Sequence, residues 1–201
     1  MGKIKIIYIL LITIVGHSCF TWMPMPDRIR KEFTYKFEDT YTGLDTLINI
    51  EGIFLPTKRT NYTGFYESRF FLSNGIVYIN PAIGHIKKDF FATQHAEVGC
   101  YKLIKDTIKI QYISTPNSMT IGSIEEWFII KNKRFIEKIY HGDVNPVLKT
   151  VPSISKYRDK FYKFKSQKIK YNYSKTWLLN KEWFWQTREE YKKWKKKRKN
   201  K

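Results

Sequence analysis

Residues 98–112 read VGCYKLIKDTIKIQY, and the second half alternates without a break: Ile108, Ile110 and Tyr112 fall on one side, Lys109 and Gln111 on the other. A period of two predicts a half-buried strand, with one face in a core and the other in water. Tyr101 and Leu103 share a side in the first half, and Lys105-Asp106 is the polar break between the halves. The stretch therefore predicts two antiparallel strands joined by a tight turn. The pattern recurs on either side of it. Residues 47–54 (LINIEGIF) place Ile48, Ile50 and Phe54 in phase, with Gly52 among them as the mark of a bulge or a close backbone approach. Residues 65–72 and 75–79 flank Ser73-Asn74-Gly75, and Asn-Gly between apolar runs is a strong hairpin signal. Residues 125–130 and 134–140, joined by Lys131-Asn132-Lys133, make a further hairpin, and 161–164 supply a last strand. Residues 56–64, 80–97 and 116–122 read as loops. This spacing predicts an antiparallel meander closing on itself, with Ile48, Ile50, Ile108, Ile110 and Tyr112 inward.

Outside the meander the pattern changes. Phe33, Tyr35 and Phe37 recur at a spacing of two within a charged stretch, as in a first edge strand or an extended segment laid on the sheet. At the other end Trp177, Trp183 and Trp185 gather near Leu178-Leu179, a group suited to core or to a lid. Thr187-x-x-Glu190 then has the form of a capping box, which predicts a helix with Tyr191 and Trp194 on one face.

The amino terminus follows a different order. Lys3 and Lys5 precede an apolar run from Ile6 to Val15, interrupted only by Thr13, and Gly16-His17-Ser18-Cys19 follows. The run is about ten residues where a membrane-spanning helix needs about twenty, so the segment predicts a secretory leader, residues 1–18. Ser18 before Cys19 resembles the lipobox of bacterial lipoproteins, in which a small residue precedes a cysteine that is acylated and becomes the new terminus; Gly16 stands where those proteins usually carry Leu, Val or Ile. The resemblance implies lipidation at Cys19. The plainer alternative is a leader cleaved near Ser18 that leaves Cys19 as a thiol. Pro24 and Pro26 make the next residues extended and helix-averse, suited to a tether over 19–45. Cys100 is the other cysteine, and an acylated Cys19 is unable to pair with it.

Composition adds charge to this outline. The 201 residues carry 37 Lys and Arg against 18 Asp and Glu, a formal net charge of +19, while 42% hydrophobic content suffices for a core. Such a balance raises nucleic acid or an anionic membrane as partner, or describes lysines solvated along strand faces. The charge concentrates in one place. Lys192, Lys193, Lys195, Lys196, Lys197, Arg198 and Lys199 make the carboxyl terminus almost wholly basic, either a solvated end or a contact for an anionic surface.

Candidate chemistry is sparse. His85, His95 and His141 sit at spacings that match no usual zinc pattern, and the sequence has no phosphate-cradling glycine loop, nucleophile elbow or H-E-x-x-H. The expectation is therefore a non-catalytic protein with no metal and no cofactor.

The succession IEGIF, FYESRFFLSNGIVYI, GCYKLIKDTIKIQYI and EEWFIIKNKRFI resembles the small lipocalin-like lipoproteins of Bacteroidetes. In these a glycine-led strand opens a barrel and a G-x-Y … D-T-I hairpin follows; Gly52-Ile53-Phe54 stands where lipocalins carry G-x-W. The resemblance implies a mainly β chain: an up-and-down lipocalin-like barrel, open or closed, over 46–165, with an aromatic and basic extension and helix over 166–201. It implies an envelope address, lipid-anchored in the outer membrane. Phe20-Thr21-Trp22-Met23 lacks the acidic residues that go with surface export in such proteins, so the domain is expected to face the periplasm. Two functions stay open at this stage. One is a barrel that holds an apolar small molecule. The other is a structural or interaction lipoprotein with a side-chain-filled barrel and a basic tail on anionic lipid or an envelope polymer. Nucleic acid is disfavoured as a partner by the envelope address.

Overall fold

The computed structural model describes residues 27–57, 68–79, 97–117, 120–144, 160–166 and 176–199. Eight antiparallel strands, each hydrogen-bonded to the next, form a closed up-and-down barrel. They are β1 (Gly52–Pro56), β2 (Arg69–Phe71), β3 (Ile76–Ile79), β4 (Glu97–Ile104), β5 (Thr107–Asn117), β6 (Thr120–Asn132), β7 (Phe135–Asp143) and β8 (Lys160–Ser166). Closure comes from β8 pairing with β1, Gly52 opposite Ser166 and Pro56 opposite Tyr162. Closing the ring leaves no strand at the edge of an open sheet.

The turn residues explain the tight connections at one end. Gly75, with φ of 90°, completes the β2–β3 turn, a conformation favourable to glycine alone. Lys105 adopts φ of 56° between β4 and β5, whose register runs from Gly99 opposite Tyr112 to Ile104 opposite Thr107. The backbone N–H of Arg134 donates to Asn132 Oδ1 at 2.8 Å, which fixes the β6–β7 turn. Gly52 answers to a close approach: a Cβ there would lie 2.3 Å from the Lys165 carbonyl oxygen and 2.9 Å from the Phe164 ring.

Alternation along the strands separates two apolar clusters. Phe54, Phe71, Val77, Ile79, Tyr101, Ile108, Ile110, Tyr112, Phe128, Ile136, Tyr162 and Phe164 point into the barrel and are buried. Residues of the opposite parity, among them Ile53, Phe70, Ile76, Tyr78, Val98, Cys100 and Ile113, form the outer wall of β1–β5. That wall is covered by the chain's own termini. Phe33 and Phe37 arrive from the amino-terminal side, and Leu178, Leu179, Phe184 and Trp185 from the carboxyl-terminal side. Phe37 and Trp185 form a parallel bridge, in which Phe37 N–H donates to the Phe184 carbonyl and Gln186 N–H to the Phe37 carbonyl.

Three expectations are corrected. Residues 47–54 are not one strand: a short helix, α2 (Leu44–Leu47), ends where Ile48 N–H donates to Leu44 O at 2.9 Å, and β1 begins only at Gly52. Leu44 and Ile48 are four apart, a helical spacing, and both are buried against the barrel interior, which outweighs the two-residue period of Ile48, Ile50 and Phe54. Most of the loop expected over 116–122 is strand, since β5 runs to Asn117 and β6 starts at Thr120; residues 118 and 119 lie outside the described residues. A register shift between Ser114 and Asn117 absorbs Pro116, which has no N–H for the ladder. The tether ends earlier than residue 45: α1 (Asp27–Glu32), Phe33 and Phe37 already belong to the packed molecule, because the outer wall needs an apolar cover. Of the two readings of the tryptophan-rich segment, core and lid, the core one holds: Leu178, Leu179, Phe184 and Trp185 are buried in the apolar cluster of the outer wall.

Candidate functional site

Aromatic side chains meet inside the barrel. Phe54 lies 5.9 Å from Phe71 and 5.5 Å from Phe164 between ring centroids, Phe71 5.6 Å from Tyr101, and Phe128 5.3 Å from Tyr162. Eight strands leave an interior that such side chains can fill.

Among the described side chains, three at inward positions carry charge. Arg69 shares its face with Phe71, Glu126 with Phe128 and Lys138 with Ile136, so the alternation that buries the aromatics buries these side chains too, at 2%, 0% and 1% exposure. Arg69 grips Glu126 with two donors, Nε to Oε2 at 2.8 Å and Nη2 to Oε1 at 2.7 Å. Lys138 Nζ lies 3.2 Å and His141 Nδ1 2.8 Å from the same Oε1. The guanidinium also stands 5.7 Å from the Tyr162 ring, and Lys138 Nζ 5.4 Å from it. Burial by itself would raise the Glu126 carboxyl; Arg69 first, then Lys138 and His141, outweigh it and hold the group well below the usual carboxylate range. A carboxylate held this firmly neither gives nor takes a proton near neutrality, so it ties β2, β6 and β7 together and is not poised for acid–base work.

On the outer wall Cys100 lines a groove of about 370 Å³ between residues 36–42 and β4, together with Lys36, Thr42, Lys102 and Leu103. Burial pushes its thiol well above the ordinary value, so it stays protonated and unreactive. Among the described residues no group of His, Cys, Asp and Glu converges as metal ligands, and no helix is long and apolar enough to cross a membrane.

The basic residues singled out in the sequence all lie on α3 (Arg188–Lys199). Its start has the expected reciprocal cap: Thr187 N–H donates to Glu190 Oε2 at 3.1 Å, and Glu190 N–H to Thr187 Oγ1 at 3.2 Å. Glu189 and Glu190 in the first turn and Lys196 to Lys199 in the last complement the helix dipole. One face is turned to the molecule: Tyr191 and Trp194 lie 6.4 and 5.6 Å from Trp185, and the Tyr191 hydroxyl donates to the Asn180 carbonyl at 3.1 Å. Arg198 donates to Asn180 Oδ1 with its guanidinium 5.4 Å from the Trp194 ring, and Lys195 Nζ stands 5.3 Å from the Tyr191 ring.

Cys19 lies outside the described residues, as do His85 and His95. Sequence reasoning did not single out Arg69, Glu126 and Lys138. Their signal was present, because each is a charge in the apolar phase of its strand and the signs are opposite. Comparison with protein-family models, curated proteins and solved structures finds no match.

Proposed function

We propose that this protein is a lipid-anchored envelope protein whose barrel is a filled, non-catalytic scaffold, acting through its surface and not as a carrier. The observation that supports this reading is the interior, where interlocked aromatic rings and the Arg69–Glu126 pair occupy the space an apolar ligand would need. The leader, with Ser18-Cys19 at its end, supports acylation at Cys19 and an outer-membrane address facing the periplasm. Several acyl chains make such an attachment effectively permanent, at about 0.8 kcal/mol per buried methylene. The basic helix supports a contact with an anionic envelope component.

Native mass spectrometry of protein drawn from its own envelope tests the scaffold, with a bare polypeptide expected in repeated preparations apart from the covalent acyl mass. A stoichiometric non-covalent lipid would replace the reading with that of a carrier. Labelling with a palmitate analogue tests the anchor: label in the wild type and none in Cys19→Ala is expected, and equal label in both refutes it.

A further inference from the structure

The basic run is not one patch, because α3 sorts it into two faces. Lys195 and Arg198 lie on the face of Tyr191 and Trp194, engaged with those rings and with Asn180. At 100° per residue Lys192, Lys193, Lys196 and Lys197 project away from those rings; like Lys195 and Arg198 they are exposed, so it is direction and not exposure that sets them apart. We infer that these four lysines are a docking surface for an anionic lipid bilayer, the one to which the chain is tethered; the inference rests on the anchoring proposed above.

Residue type and position favour a bilayer. The one arginine of the run, the side chain suited to bidentate phosphate recognition, is spent inward on Trp194 and Asn180, while the outward residues are all lysine. Ammonium groups are strongly hydrated point charges, suited to a diffuse field of headgroups. Binding of single-stranded nucleic acid would draw on exposed aromatic rings for stacking, yet Tyr191 and Trp194 are turned onto Trp185; a duplex, held through its phosphates alone, is left to the test below. The tether leads to the same region: Phe33, next to α1, lies 5.7 Å from Trp183 and 5.6 Å from Phe184, in the segment that leads into α3. The residues from Cys19 to Asp27 span at most about 29 Å, so an anchor at Cys19 keeps the start of the folded part within that reach of the membrane. Tethering turns a weak contact into one at high effective concentration.

The test separates the faces. Every contact described above lies within Asp27–Lys199, so a chain from residue 19 onward with Cys19→Ser carries the whole of it. Its binding is measured by flotation with vesicles of phosphatidylglycerol and phosphatidylcholine, with vesicles of phosphatidylcholine alone, and with a duplex oligonucleotide, each at low and moderate salt. Three forms are compared: unaltered, K192Q/K193Q/K196Q/K197Q, and K195Q/R198Q. Each lysine near an anionic surface is worth roughly fivefold in binding, before screening by salt. The outward variant is expected to lose at least tenfold on anionic vesicles with an unchanged melting temperature. The inward variant is expected to melt lower and to bind within about threefold of the unaltered chain. Equal losses in the two variants, or none in the outward one, overturn the assignment of the face. Tight salt-dependent oligonucleotide binding with no preference for anionic vesicles overturns the bilayer. Removing residues 188–201 keeps the two readings apart: if that abolishes vesicle binding and the outward variant does not, the tail contact stands and the face is wrong.

Discussion

Glu126 is the residue on which the barrel interior is most exposed to failure. Its carboxylate faces Arg69, Lys138 and His141 out of water, so removing its charge leaves two buried cations against each other. Breaking a buried pair in this way costs about 3–5 kcal/mol, whereas apolar residues of similar volume in place of the whole group are often neutral or stabilising. Glu126→Gln should therefore lower the urea midpoint strongly at pH 7. Arg69→Met, Glu126→Leu and Lys138→Met together should recover most of the loss. The same group carries a pH dependence of known sign. The folded value of Glu126 lies below the unfolded one of about 4.3, so its contribution is complete above that pH and is lost as the pH falls toward the folded value. Urea midpoints measured from pH 7 down to pH 3 should fall below about pH 4.3 in the wild type, and less steeply in the triple variant. Parallel profiles would remove Glu126 from the acid response.

At the scale of an element, α3 shows how a helix with so many like charges persists. Lysines at i and i+4 repel one another, an unfavourable term for the isolated helix. The reciprocal cap between Thr187 and Glu190 offsets it at one end, and the rings of Tyr191 and Trp194 against Trp185 offset it along the inner face. Thr187→Ala removes the oxygen that accepts from Glu190 N–H and should cost about 1 kcal/mol. Because α3 is terminal, that loss should register as faster amide exchange over residues 188–194 and leave the barrel's exchange unchanged. An equal rise throughout would mean that helix and barrel unfold as one unit.

At the scale of the whole molecule, the barrel and the two ends of the chain depend on each other. The outer wall of β1–β5 carries an apolar cluster of its own, and Phe33, Phe37, Leu178, Leu179, Phe184 and Trp185 pack onto it. A chain ending at residue 175 should bind a hydrophobic dye and self-associate, since contiguous apolar surface of that kind drives association; a monodisperse barrel without dye binding would refute the mutual dependence. The limits of sequence reading follow the same line. Ile108, Ile110 and Tyr112, the Asn74-Gly75 turn and the Thr187–Glu190 cap were legible because each rests on neighbours a few residues apart, where period and turn chemistry act. Leu44 and Ile48 were not: helical and strand spacings both fit them, and only the open end of a closed barrel decides for the helix. The Arg69–Glu126 pair, whose partners are 57 positions apart, exists only once β2 and β6 face each other across the interior. For α3 the sequence by itself determined a basic helix, through composition and the cap. Which face of the helix meets the molecule was decided by tertiary structure alone, because Trp185 and Asn180 engage Tyr191, Trp194 and Arg198.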